Sequence, residues 1–323
     1  MKCLVTGGAG FIGSHICERL LNKDHEVICL DNFDPYYNPK LKNKNIEPLL
    51  SNKNFKLINE DIRNSDFIHK ILKEDIDYIF HEAAQAGVRI SVKNPLKAHE
   101  VNATGTLNLL NASIDSDVKK IINASSSSIY GKVEYLPFDE EHPKNPVSPY
   151  GASKLIAEHY CRIFNEIYGL KTISLRYFTV FGPRMRPDLA INIFTRKALN
   201  NEPIEIYGTG EKTRDFTYID NVIEANLIAM KKGIGEYNIG GGKRVSVNEL
   251  AEKIIQLTNS SSKLIYSTSI KGDAEHTWSD ISKAKKELGY NPKIDLDDGL
   301  LKYIEWYIEN EHKYRIIHSN SCL

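Results

Sequence analysis

The stretch Lys2-Cys3-Leu4-Val5-Thr6, followed at once by Gly7-Gly8-Ala9-Gly10-Phe11-Ile12-Gly13, decides the fold. The first five residues read as a buried strand, and the apolar spacing Ile12, Ile16, Leu20, Leu21 reads as a helix. Glycines at 7, 10 and 13 let the backbone turn tightly between the two and approach a pyrophosphate. The helix N-terminus, with Phe11 and Ile12 in its first turn, supplies N–H groups and dipole. A glycine triplet alone is a weak signal, because plain turns carry one too. Here a second strand, 26–30, leads to Asp31, 18 residues past Gly13. A carboxylate there accepts hydrogen bonds from both ribose hydroxyls of NAD and repels a 2′-phosphate, and no arginine follows in Asp31-Asn32-Phe33. The pattern predicts NAD rather than NADP.

Further short apolar runs at 55–59, 77–80, 119–124 and 172–176 alternate with helical stretches. That alternation predicts an α/β fold: a doubly wound parallel sheet with helices on both faces. The third strand ends in Asp61-Ile62, where a carboxylate can meet the adenine amino group. The fourth ends in His81-Glu82-Ala83-Ala84, small residues that let a cofactor lie against the backbone. One helix is expected from Asn94-Pro95 to about Ser113. Another starts near Ser148-Pro149 and carries Ile156, Tyr160, Ile163 and Ile167 as an apolar stripe. After residue 178 the rhythm changes to Gly- and Pro-containing loops and shorter elements, with one helix carrying Leu250, Ile254, Ile255 and Leu257. The expected organisation is a dinucleotide-binding domain over 1–178 and a smaller substrate lobe over 179–323, part of which crosses back. The chain from about Lys313 reads as a loosely held tail.

Composition narrows the function classes. Over 323 residues, Lys+Arg and Asp+Glu tie at 42 each, so no basic excess exists to hold a phosphate backbone and nucleic-acid binding is not expected. Five cysteines with no C-x-x-C pair, Cys3 and Cys29 among them in apolar runs, suit a reducing compartment. The N-terminus lacks a signal-peptide core and no segment is apolar enough to span a membrane, so a soluble, cytoplasmic protein is expected. No metal is expected either: His81-Glu82 would need histidine at 85 to make a zinc helix, and finds Gln85.

The chemistry points to Tyr150-Gly-Ala-Ser-Lys154, which places a phenol and an ammonium one helical turn apart on one face. Beside Lys154 and a cationic nicotinamide, the Tyr150 phenol is expected to ionise more easily, and can then take a proton from a substrate alcohol as hydride leaves for NAD. Tyr36 and Lys40 share the spacing, but Pro39 between them marks a loop. The run Ser125-Ser-Ser-Ser128 follows the fifth strand at the edge where open α/β sheets bind ligands, so one of its hydroxyls can meet the sugar oxygen beside Tyr150.

Taken together, TGGAGFIGSH at 6–15, HEAAQAGVR at 81–89, VNATGT at 101–106, SSSSIYG at 125–131, YGASK at 150–154, RYFTVFGPRMRPD at 176–188 and RDFTYIDN at 214–221 resemble the extended short-chain dehydrogenase/reductases from end to end. Within them the chain is most similar to the nucleotide-sugar 4-epimerases. The resemblance implies Ser126, Tyr150 and Lys154 as the catalytic triad. It implies Asn102, Ala83, Ala84 and Phe178 along the cofactor, Arg214 on the sugar-nucleotide phosphates and Asp273 on the uridine ribose. Related dehydratases carry Asp-Glu where Ser127-Ser128 stand, and decarboxylases a Glu at the second position; both need a carboxyl to move a C5 proton. Without one, a 4-keto sugar can only take its hydride back on the other face. Thr179 and Arg186 look like those of the glucuronate 4-epimerases, in which a guanidinium and a hydroxyl would grip the substrate carboxylate. UDP-glucuronate and UDP-galacturonate are therefore the expected pair. The neutral hexoses of UDP-glucose and UDP-galactose, a UDP-N-acetylhexosamine, and a non-catalytic NAD-sensing protein are the alternatives. The family also implies a homodimer, through the helices near 95–113 and 149–168.

Overall fold

The computed structural model describes residues 1–268 and 274–318, with side chains to 310. In chain order it runs β1 (Lys2–Thr6), α1 (Phe11–Leu21), β2 (Glu26–Asp31), α2 (Pro39–Ile46), β3 (Phe55–Asn59), α3 (Ser65–Ile71), β4 (Tyr78–His81), α4 (Val88–Lys93), α5 (Pro95–His99), α6 (Gly105–Ser113), β5 (Lys120–Ser126), α7 (Pro149–Tyr168) and β6 (Thr172–Tyr177). It continues with β7 (Val180–Phe181), α8 (Ala190–Leu199), β8 (Ile204–Tyr207), β9 (Thr213–Arg214), β10 (Thr217–Tyr218), α9 (Ile219–Lys231), β11 (Gly235–Ile239), β12 (Val245–Ser246), α10 (Val247–Leu257), β13 (Leu264–Ser267) and α11 (Leu296–His318).

Seven strands form one parallel sheet in the order β11-β6-β5-β4-β1-β2-β3. The order reverses between β1 and β4, the position at which doubly wound sheets open a crevice for ligand. Period-two alternation along the strands builds a core on each face: Cys3 and Val5 pack on the α1 side, Leu4 with Ile28 and Ile79 on the α3–α6 side. Strand β11 comes from the later part of the chain, yet pairs with β6 from Gly235↔Ile173 to Ile239↔Tyr177. Cys3, Cys17, Cys29 and Cys161 are free and buried, and burial pushes the thiols of Cys3 and Cys161 up to about 12.

Two expectations need correcting. The helix expected over 95–113 is three pieces, because α5 and α6 are separated by a π-helical turn at Glu100–Thr104. The widened turn lets Asn102 satisfy both backbone groups of Gln85: Gln85 N donates to Oδ1 at 2.8 Å and Nδ2 donates to the Gln85 carbonyl at 3.2 Å. The expected tail from Lys313 begins inside a helix, since α11 runs to His318. No described helix is long and apolar enough to cross a membrane.

Candidate active site

The Gly-rich turn is forced by contact. Gly7 has φ +67°, and a Cβ there would stand 2.7 Å from the Ala83 backbone nitrogen; one on Gly13 would collide with the Gly7 carbonyl. Gly10 caps α1 with its N–H bonded to Gly7 O at 3.0 Å. The result is a cavity of about 180 Å³ against the N-terminus of α1. Its walls include Gly7, Gly10, Phe11, Ile12 and Gly13, then Asp31 and Asn32, Asp61 and Ile62, Ala83 and Ala84, and Arg186.

At one end Asp31 is buried and nearly saturated. Its Oδ1 accepts from Phe33 N at 2.8 Å and Lys42 Nζ at 3.0 Å, and Oδ2 from Ala9 N at 3.2 Å. Asn32 Nδ2 donates to Asp61 Oδ2 at 2.8 Å. Burial would raise the Asp61 carboxyl, but hydrogen bonds from Arg63 and Asn32 hold it down at about 2. These residues fit NAD: the glycine cradle admits a backbone-hugging pyrophosphate, and Asp31 and Asp61 bring carboxylates to the cavity wall.

Ser126, Tyr150 and Lys154 are not among the residues that line this cavity; Ser148 caps α7 by accepting from Gly151 N at 3.1 Å, with Pro149 at the first helical position. That cap aims Tyr150 and Lys154 at the end of β5, where Ser126 Oγ accepts from Ser128 N at 3.1 Å. The expectation for Tyr150 counted on a cationic nicotinamide as well as on Lys154. Burial raises the Tyr150 phenol, with the facing Ser126 hydroxyl and the charge of Arg186 opposing the rise. Burial also lowers Lys154 to about 8, with Glu82 opposing, and its Nζ donates to the Ala124 carbonyl at 2.7 Å. In the free protein desolvation therefore outweighs charge; the positive nicotinamide ring is what remains to bring the phenol down.

Other expected residues do not line this cavity. Asn102 is 1% exposed, held by Gln85 and by a bond from its Nδ2 to Ser153 Oγ at 2.9 Å. Phe178 is fully buried among Ile129, Tyr130 and Phe138. Thr179, half-buried, follows β6 and its carbonyl accepts from Thr217 N at 2.9 Å. The Arg214 guanidinium donates to the backbone carbonyls of Thr213, Ala274 and Glu275 and lines a second cavity of about 240 Å³. Asp273 lies outside the described residues. Among those described, no cluster of His, Cys, Asp and Glu could hold a metal ion.

Sequence reasoning gave no role to Lys42, Tyr36 or Glu82. Pro39 opens α2 rather than marking the loop expected of it: Asn38 caps the helix, its Oδ1 accepting from Lys40 N at 3.0 Å, and that capped start was the readable signal for Lys42. Tyr36 had none, since its meaning depends on Arg186, 150 residues later. Arg186 Nε and Nη2 donate to Asp188 at 2.9 and 3.1 Å, Tyr36 Oη donates to the same carboxylate at 2.8 Å, and the guanidinium lies 5.4 Å over the Tyr36 ring.

The chain is similar to known nucleotide-sugar 4-epimerases along almost its whole length. A UDP-glucuronate 4-epimerase of Thermodesulfobacterium geofontis is 40% identical over 311 residues, covering 95% of this chain and 96% of that one. The crystal structure of the Bacillus cereus UDP-glucuronic acid 4-epimerase, in complex with UDP-glucuronic acid and NAD, superposes with a TM-score of 0.91 at 39% identity, over 96% of this chain and 99% of the other. That of the Thermotoga maritima UDP-glucose 4-epimerase with UDP-glucose gives 0.90 at 37%, over 96% and 100%. The GDP-mannose 4,6 dehydratase family matches residues 4–303, and with the cradle, the Tyr150–Lys154 helix and the sheet order all in place, the chain belongs to that family of extended short-chain dehydrogenase/reductases.

Proposed function

We infer that the protein is an NAD-dependent nucleotide-sugar 4-epimerase, an isomerase acting on UDP-sugars, and propose UDP-glucuronate and UDP-galacturonate as its favoured pair. NAD supplies a reversible hydride acceptor; the residues of the chain handle the proton. Tyr150 takes the proton of the C4 hydroxyl, Ser126 orients that oxygen, and Lys154 balances the charge. Ser127 and Ser128 offer hydroxyls where moving a C5 proton would need a carboxyl, which supports return of the hydride over elimination.

The observation that carries the substrate reading is Arg186, on the wall of the NAD cavity with its Nη1 unbonded among the described residues. A guanidinium there can bind a carboxylate on C5, with the Thr179 hydroxyl adding a bond. Oxidation at C4 makes a β-keto acid, which loses carbon dioxide when the carboxylate bond aligns with the carbonyl π system. A charge-assisted grip holds it out of that alignment. We also assign Arg214 and Asp273 to the uridine diphosphate, and Asn102 and Phe178 to shaping the cavity from behind. A pair of copies is proposed to meet through α5 to α7, where Leu96 and Ile167 are 74% and 69% exposed.

One observation favours the second reading, a neutral hexose: Asp188 already neutralises Arg186. Arg186→Ala separates the two. If glucuronate is the substrate, its turnover falls by an amount on the order of 2–4 kcal/mol while UDP-glucose is spared. Efficient use of UDP-glucose by the unaltered enzyme, with no turnover of UDP-glucuronate, overturns the first reading.

A further inference from the structure

Glu82 directly follows β4 and lines the cavity beside Gly7, Ala83 and Gln85. No step above uses it. Its Oε1 accepts from Tyr177 Oη at 2.8 Å, and that phenol accepts in turn from Asn226 Nδ2 at 2.8 Å. The Tyr177 proton has two acceptors in reach, Glu82 Oε1 at 2.8 Å and, farther off, Asn226 Oδ1 at 3.1 Å. Oε2 has no protein partner among the described residues, although the residue borders the cavity. Across from it, Lys154 of α7 attracts the carboxylate, and Tyr150 feels its charge. From β6 the facing titratable group is Tyr177, and α9 contributes only the neutral Asn226.

Asp31 and Asp61 stand on the cavity wall on the side assigned to adenosine, whereas Glu82 lines the cavity from the end of β4 and acts by its charge on Tyr150 and Lys154, the pair assigned to the substrate proton. We propose that Glu82 is the counter-ion of the cofactor's cationic nicotinamide and biases the bound cofactor towards its oxidised form. The proposal rests on the reading that this protein uses NAD. The oxidised ring carries a positive charge and the reduced ring none, so a carboxylate beside it favours the first by Coulomb attraction. An epimerase must hand its hydride back in every cycle, and a site that disfavours the reduced cofactor drives that return.

Burial pushes Glu82 up to about 7, with Tyr177 and Lys154 opposing, so it ionises as pH rises through neutrality. Preference for NAD⁺ over NADH therefore strengthens over that interval. Lys154, losing its proton near 8, adds a step of the same sign at higher pH. The test equilibrates wild type and Glu82→Gln with mixtures of NAD⁺ and NADH across this range, recovers the protein and measures the ratio of bound forms. Glu82→Gln should shift that ratio at least about fivefold towards NADH above neutrality, losing the lower step and keeping the upper one. Tyr177→Phe retains the carboxylate but removes its donor, so the lower step should move to higher pH. An unchanged ratio with an unchanged lower step in Glu82→Gln, or an unmoved step in Tyr177→Phe, overturns the proposal. Failure of wild type to bind either form overturns the NAD reading and the proposal with it.

Discussion

Tyr150 shows how far a single residue can be understood from its neighbours. The spacing to Lys154 is written in the sequence, but the balance between burial and charge is not, because it depends on how much water the folded chain removes from the phenol. Tyr150→Phe removes only the proton acceptor. Turnover should drop by about 10²–10⁴ with NAD binding retained, as steady-state rates and cofactor retention measured together will show. A variant keeping more than a tenth of the activity would remove Tyr150 from its role. Glycines 7, 10 and 13 and Asp31 were legible since the backbone geometry they serve is local. Lys42, Tyr36 and Glu82 were not. Each acquires meaning only when another segment arrives: β2 beside α2, the 182–188 loop over Tyr36, and Tyr177 from β6 reaching across β5 to Glu82 after β4.

Between residues and the whole molecule, elements are held in register by buried polar contacts. Glu158, one turn beyond Lys154 on α7, accepts two bonds from Arg176 of β6, at 3.0 and 2.9 Å, and one from Ser125 of β5 at 2.5 Å. Both ionic side chains are 4% exposed or less. This joins α7, which carries Tyr150, to the strand that carries Ser126. Glu158→Ala would strand the guanidinium without its partner and should cost about 3–5 kcal/mol, read as a fall in the urea unfolding midpoint. A midpoint unchanged from wild type would show that the pair does not hold these elements. The strands themselves were readable to within a residue or two, as buried parallel strands give continuous apolar runs. The π-helical turn at Glu100–Thr104 was not, because the partner that its Asn102 meets, the backbone of Gln85, lies in a separate segment.

At the scale of the molecule, later parts of the chain are laced to the dinucleotide half. β11 extends its sheet, and Arg184 Nη2 donates to Glu18 Oε2 on α1 at 2.7 Å. Tyr36 holds Asp188. Arg186 thereby sits on the cavity wall between two anchors in the first half of the chain. If the α5–α7 faces pair, sedimentation should give twice the chain mass, and Leu96→Glu should return the single chain; one species at the chain mass in the wild type ends the dimer assignment. The doubly wound sheet was legible from alternation alone, whereas the return of 235–239 to its edge was foreseen only in outline, since that short run does not name its neighbour.

The central claim is that hydride leaves C4 and comes back to the same carbon on its other face. A UDP-glucuronate bearing deuterium at C4, incubated with the enzyme in ordinary water without added NAD, tests it most directly. The account predicts UDP-galacturonate that keeps its deuterium at C4, with no reduced cofactor accumulating and no exchange at C5. Loss of the label to solvent, or stoichiometric release of deuterated NADH with a keto sugar, would contradict it.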